Sequence, residues 1–82
     1  MEIWHKLKTW PPYFQAMLRG DKNFELRTND RDFKSCDYLI LEEWDPKTKH
    51  FSGRILVRRV DYVLQGAFGL PENMCIMQLS KV

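Results

Sequence analysis

Short segments in which apolar and polar side chains alternate recur along this sequence. In residues 2–8, EIWHKLK, the side chains of Ile3, His5 and Leu7 share one face. Such a period-two pattern predicts a β-strand that turns its apolar face toward the core. Comparable segments predict further strands over residues 22–28, 37–44, 54–64 and 74–81.

The segment TWPPYFQAMLRG, residues 9–20, predicts a single short helix over residues 11–19. We expect Thr9 to cap its start and Gly20 to cap its end, and the prolines suit a first helical turn. Apolar residues at helical spacing predict a buried stripe, formed by Trp10, Phe14, Met17 and Leu18.

Residues 54–64 are partly apolar on both faces, which predicts a β-bulge or a strong twist midway. A chain of 82 residues forms one domain, here residues 1–82. Because a closed sheet has no exposed edges, we expect an α+β, mostly β fold. Its predicted form is a small mixed or antiparallel β-barrel of five or six strands with one short helix.

The composition argues against several classes of protein. The 13 basic and 11 acidic residues give a net charge of +2, too small by itself to indicate a nucleic-acid partner. Cys36 and Cys75 form no CxxC pair and lie far from both histidines in sequence, so we expect no metal and no cofactor. No apolar run approaches the ~20 residues of a membrane span. With no recognisable signal peptide, we expect a cytoplasmic protein with free thiols.

The most charged stretch is GDKNFELRTNDRDFKSCD, residues 20–37. On its strand, Phe24 and Leu26 are predicted to face the core. Glu25 and Arg27 then share the opposite face, about 6.5–7 Å apart. A carboxylate accepts hydrogen bonds from base amino groups, and a guanidinium binds phosphate or base acceptors. The pattern fits a nucleotide site, and it also fits an ordinary surface ion-pair cluster of little energetic value.

The stretch LRGDKNFELRTNDRDFKSCDYLILEE, with the earlier HKLKTWPPYFQAML and the last apolar strand, resembles the ASCH-domain family. Within it, the chain is similar to short bacterial and phage proteins of the DUF3850 group. The shared pattern is a helix ending in Gly20, then Lys22, then E-x-R at Glu25 and Arg27, followed by an N-D-R-x-F turn. The resemblance spans nearly the whole chain. It implies a PUA-like β-barrel that recognises RNA or modified nucleotides in a cleft beside the helix.

With this resemblance, we expect an RNA- or nucleotide-binding site made of four charged residues, Lys22, Glu25, Arg27 and Arg31. Three residues that share one face of the first strand are expected to flank it, Trp4, Lys6 and Lys8. An aromatic ring can stack on a base, and ammonium groups bind phosphate. For Arg31, a bridge between two strands is an equally good interpretation.

Two further features have alternative interpretations. His5 is expected to be a hydrogen-bonded core histidine rather than an acid or base. A second basic cluster is either a phosphate-binding surface or a set of solvated strand edges, and comprises Lys47, Lys49, Arg54, Arg58 and Arg59.

Two other functional classes stay open. Some ASCH-like proteins are amidohydrolases of acylated cytidine, with a Lys followed three residues later by a Thr. Lys22 matches that Lys, but Glu25 occupies the place of the Thr, so the usual hydroxyl nucleophile is missing. We therefore expect no catalytic residues; if the chain were an enzyme, Lys22 and Glu25 would be the acid–base pair. The other class is a protein-binding adaptor that uses the same pocket.

Overall fold

The computed structural model describes residues 1–82, which form one helix and five strands. Their bounds are β1 Trp4–Thr9, α1 Pro11–Arg19, β2 Phe24–Thr28, β3 Tyr38–Asp45, β4 His50–Gln65 and β5 Met74–Lys81. The strands form one sheet in the order β1-β3-β4-β5-β2, in which β1 and β3 are parallel and the other pairs antiparallel. The predicted α+β, mostly β fold with five strands and one short helix is confirmed.

The sheet curls into a half-barrel whose two edges, β1 and β2, share no backbone ladder. Arginine side chains bridge this seam instead. Arg27 Nη2 donates to the Lys8 carbonyl at 2.6 Å, and Arg31 Nη1 donates to the Lys6 carbonyl at 2.8 Å. These carbonyls belong to an edge strand, where unpaired backbone groups would otherwise need water or another chain. Two guanidinium groups from the charged stretch, residues 20–37, therefore connect the two sheet edges.

The core fills the concave side of the half-barrel. Side chains that point inward from β3 and β5, such as Leu39, Leu41 and Met77, are fully buried. On β1 the predicted inward face is confirmed for His5 and Leu7, whereas Ile3 precedes the strand and is exposed. The other inward residues of the core cluster are Met17, Phe33, Val60, Cys75 and Leu79.

The predicted bulge in β4 is confirmed, because the register with β5 shifts between Val60 and Tyr62. Before the shift, Arg58 and Val60 are buried; after it, Val63 pairs with Met77 and packs against the core. One additional residue reverses which side of the strand faces inward, and this explains why both faces of the segment carry apolar residues.

The predicted orientation of β2 is wrong. Glu25 is only 4% exposed, whereas Phe24 is 46% and Leu26 52% exposed. The register pairs Glu25 with the buried Met77, and Leu26 with Ile76 on the outer face. Period-two alternation defines two faces of a strand, but the curl of the sheet decides which face lies inside. The charged residues of this strand therefore point into the half-barrel.

The predicted bounds of α1 and its Gly20 cap, which has a left-handed φ of +84°, are confirmed. The predicted cap at Thr9 is wrong, because Thr9 is the last residue of β1 and Trp10 occupies the N-cap without a side-chain hydrogen bond. Of the predicted stripe, Phe14 and Met17 are buried, while Trp10 and Leu18 are about half exposed. The nine-residue α1 is too short to cross a membrane, and no other helix is present.

Candidate functional site

A cleft of about 620 Å³ opens where β1 ends and α1 begins, facing the start of β2. It lies at the seam between the two sheet edges, where no backbone ladder fills the space. Its polar lining consists of Lys8, Thr9, Lys22, Glu25 and Arg27. The reversed orientation of β2 is what turns Glu25 and Arg27 into this space.

The Glu25 carboxylate is held between two cations. Lys22 Nζ lies 2.6 Å from Oε1, and Arg27 Nε lies 2.7 Å from Oε2. All three side chains are mostly removed from solvent, with Glu25 the most deeply buried. Because one carboxylate serves two cations, the cluster keeps one net positive charge inside the cleft. An anionic group of a ligand would complete its charge balance.

Both cations retain hydrogen-bond donors. Arg27 has five N–H groups and uses two of them, one on Glu25 and one on the Lys8 carbonyl. Lys22 has three N–H groups and uses one on Glu25 and one on the Phe24 carbonyl at 2.7 Å. The remaining N–H groups have no hydrogen-bond partner within the chain.

Exposed aromatic rings line the same cleft. The Trp10 and Tyr13 rings are nearly parallel, at 18°, with centroids 6.1 Å apart. Both rings, and that of Phe24, are about half exposed although each is large and apolar. The Lys22 ammonium lies 5.0 Å from the centroid of Phe24 and 5.9 Å from that of Tyr13. Rings that remain accessible beside a cation can stack on a planar ligand.

Thr9 contributes the one buried side-chain oxygen or nitrogen in the chain that has no hydrogen-bond partner. Its side chain points inward from the last position of β1, and the residue is 3% exposed. Sequence reasoning missed it because Thr before a helical pattern is typical of an N-cap. The alternation of β1, continued one step beyond Leu7, was the signal that placed it inside.

The neighbouring carboxylate on β3 makes no hydrogen bond with Thr9. Glu43 pairs with Thr9 in the β1–β3 register, but Arg54 donates two hydrogen bonds to it, at 3.0 and 2.8 Å. These bonds, with one from Ser52, hold the pKa of Glu43 below its ordinary value despite burial. The Arg54 guanidinium also lies 4.9 Å from the centroid of the Phe14 ring. This second ion pair lies outside the cleft lining.

Four of the seven predicted site residues border the cleft, Lys8, Lys22, Glu25 and Arg27. The Lys8 side chain leaves from the outer face of β1, and its ammonium lies 4.4 Å from the centroid of the Trp44 ring, which is outside the cleft lining. Arg31 lies outside the cleft lining and takes the predicted bridging position, on the Lys6 carbonyl. Lys6 and Trp4 lie on the outer face of β1, where the Trp4 ring stacks on Tyr38 with centroids 4.5 Å apart.

The second basic cluster does not form one surface. Arg54 is paired with Glu43, Arg59 Nη1 lies 3.1 Å from Asp61, and Arg58 is buried. The structure also contains no group of three or more His, Cys, Asp or Glu side chains close enough to hold a metal ion.

Comparison with known sequences gives the family. The sequence model of a family described as "Domain of unknown function (DUF3850)" matches residues 4–79. The chain belongs to the DUF3850 family. The match runs from β1 into β5, so it includes every residue that lines the cleft.

One relative of this chain comes from a bacteriophage. The chain is 38% identical over 56 residues to a protein of Escherichia phage P2, described as "Uncharacterized 12.9 kDa protein in GpA 3'region". The match covers 68% of this chain and 50% of the phage protein. The chain therefore aligns with about half the length of that relative.

Proposed function

We propose that this DUF3850 domain binds RNA and takes one nucleotide into the cleft between α1 and β2. The observation that carries the proposal is the combination of aromatic rings and charged side chains in this cleft. Accessible aromatic rings at Trp10 and Tyr13 stand beside two cations that share one buried carboxylate. The resemblance to the ASCH and PUA-like group, which implies RNA recognition beside the helix, supports the same location.

The size and chemistry of the cleft suit one nucleotide. Its volume of about 620 Å³ lies within the range of small-molecule sites, roughly 300–1,000 Å³. Stacking one base on an aromatic ring contributes about 1–3 kcal/mol and tolerates any base. The free N–H groups of Arg27 and Lys22 are suited to a phosphate, because charge-assisted hydrogen bonds to phosphate are among the stronger ones in proteins.

The test is fluorescence anisotropy with a labelled single-stranded hexaribonucleotide over a range of salt concentrations. We expect affinity to fall as salt rises, because each phosphate contact displaces counterions. Tyr13→Ala and Arg27→Ala should each weaken binding by about tenfold, through stacking and phosphate contact respectively.

Arg19→Ala is the matched control, because it removes the same charge from the exposed end of α1, where Arg19 pairs only with Asp21. It should leave affinity within about twofold of the unaltered protein. Absence of binding at low salt, or equal losses from Arg19→Ala and Arg27→Ala, would contradict the proposal. Hydrolysis of acylated cytidine or capture of a specific protein partner would favour the hydrolase or the adaptor instead.

A further inference from the structure

The unpartnered hydroxyl of Thr9 is the strongest chemical anomaly in this molecule. Buried polar side chains in folded proteins nearly always have a hydrogen-bond partner, because burial without one costs free energy. Thr9 Oγ1 is the only buried side-chain polar atom of the chain that lacks one. A threonine at this position is therefore unfavourable for the free protein.

No neighbouring side chain bonds to this hydroxyl. The Glu43 carboxylate, adjacent in register, accepts from Arg54, and both oxygens of Glu25 accept from cations. Thr9 nevertheless lines the cleft. A partner can therefore come from a molecule that enters the cleft.

The lining around Thr9 is richer in donors than in acceptors. Arg27 and Lys22 keep free N–H groups, while the one carboxylate of the cleft, that of Glu25, already accepts hydrogen bonds from both residues. Such a lining is complementary to a ligand that presents oxygen acceptors. A phosphate would have to lose its hydration to reach a hydroxyl that is 3% exposed, and this costs more for a charged group than for a neutral base carbonyl.

We infer that the Thr9 hydroxyl donates a hydrogen bond to a carbonyl oxygen of the bound nucleobase and so determines which base the cleft accepts. This inference rests on the proposed nucleotide site. Uracil, guanine and cytosine carry a ring carbonyl, and adenine carries none. The cleft therefore discriminates against adenine, and Thr9 is the residue that makes the distinction.

The experiment measures binding of the four nucleoside 5′-monophosphates, UMP, GMP, CMP and AMP, by isothermal titration calorimetry. We expect AMP to bind most weakly to the unaltered protein. Thr9→Val has the same shape without the hydroxyl, and it should weaken UMP binding by about tenfold while leaving AMP unchanged. Thr9→Ser, which keeps the hydroxyl, should retain the preference for UMP over AMP.

A second measurement separates the role of Thr9 in ligand recognition from its effect on protein stability. Without ligand, Thr9→Val should raise the melting temperature by about 4 °C or more, because it removes a buried hydroxyl that has no partner. Thr28→Val is the matched control, since Thr28 is exposed on β2 and lies outside the cleft lining. It should leave base preference unchanged.

The outcomes distinguish this inference from the proposed function. If none of the monophosphates nor the hexaribonucleotide binds the unaltered protein, the nucleotide site itself is wrong. If they bind but AMP is as tight as UMP, or Thr9→Val keeps the same affinities, nucleotide binding stands and the role of Thr9 is overturned. Higher stability together with lost base preference is the result that supports it.

Discussion

The two ends of the half-barrel interior differ in whether their buried polar groups have hydrogen-bond partners. The closed end holds His5 and Asp37, and the open end holds Thr9 and Glu25. His5 and Thr9 are both inward residues of β1, four positions and so about 13 Å apart. The same strand therefore supplies one polar side chain to each end.

At the closed end, the buried polar groups bond to one another. His5 Nε2 lies 2.9 Å from Asp37 Oδ2, which also accepts the Lys34 backbone N–H at 3.0 Å. The edge of the His5 ring meets Phe33, with centroids 4.7 Å apart at an interplanar angle of 68°. This confirms the predicted hydrogen-bonded core histidine.

At the open end, the polar groups are only partly satisfied. Lys22 and Arg27 neutralise Glu25 but keep free donors, and Thr9 has no partner. Burial alone does not distinguish a structural polar cluster from a functional one, because both ends contain buried charged groups. The difference is that His5 and Asp37 bond to each other, whereas the buried Thr9 hydroxyl has no partner within the chain.

The largest expected effect is at the closed end. Asp37→Ala leaves the buried His5 ring and the Lys34 N–H without this acceptor, so we expect the free energy of unfolding to fall by about 3 kcal/mol. Urea denaturation measures it. Asp37→Asn keeps an acceptor oxygen and should cost less; equal losses for the two variants would count against this account.

A smaller loss is expected from the corresponding change at the open end. Glu25→Ala leaves Lys22 and Arg27 side by side, but water can enter the cleft and hydrate both cations. We therefore expect a loss of about 2 kcal/mol by urea denaturation, less than for Asp37→Ala. A greater loss than at the closed end would show that the cleft is a structural polar cluster as well. Glu25→Gln, which keeps an acceptor, serves as the control.

The seam between the sheet edges gives a third, smaller effect. Arg31→Ala removes the hydrogen bond to the Lys6 carbonyl, and we expect a loss of about 1 kcal/mol in urea denaturation. Because Arg31 lies outside the cleft lining, nucleotide affinity should not change. If Arg31→Ala weakened RNA binding as much as Arg27→Ala, the proposed site would have to extend along the seam.

The smallest effect concerns acid stability at the open end. Because Arg54 holds the pKa of Glu43 below its ordinary 4.5, the unfolded chain takes up this proton before the folded one as pH falls. The resulting stabilisation is complete at neutral pH and is lost as pH falls through 4.5 toward the lowered pKa.

Arg54→Met removes the charge and keeps an unbranched side chain over Phe14. Stability of this variant, measured by urea denaturation at several pH values, should decline less steeply between about pH 5 and about pH 3 than that of the unaltered protein. Parallel declines would mean that this ion pair does not set the pKa of Glu43.

Local patterns in the sequence predicted most elements and part of the site. The helix bounds, the final strand and the β4 bulge follow from turn residues, periodicity and two-sided apolar patterning, which depend on near neighbours in the chain. Lys22, Glu25 and Arg27 were found through their spacing and the family resemblance. Thr9 was not, because whether a buried hydroxyl finds a partner depends on contacts between residues distant in sequence.

The sequence by itself determined that this chain forms short strands, one helix and a charged β2, because alternation and capping act over a few residues. Only the tertiary structure decided which face of β2 lies inside, since that depends on how far the sheet curls around α1. With the same curl, arginine side chains rather than a backbone ladder connect β1 and β2, and the cleft opens beside this seam. The cleft is formed where three segments meet, and no single segment encodes it.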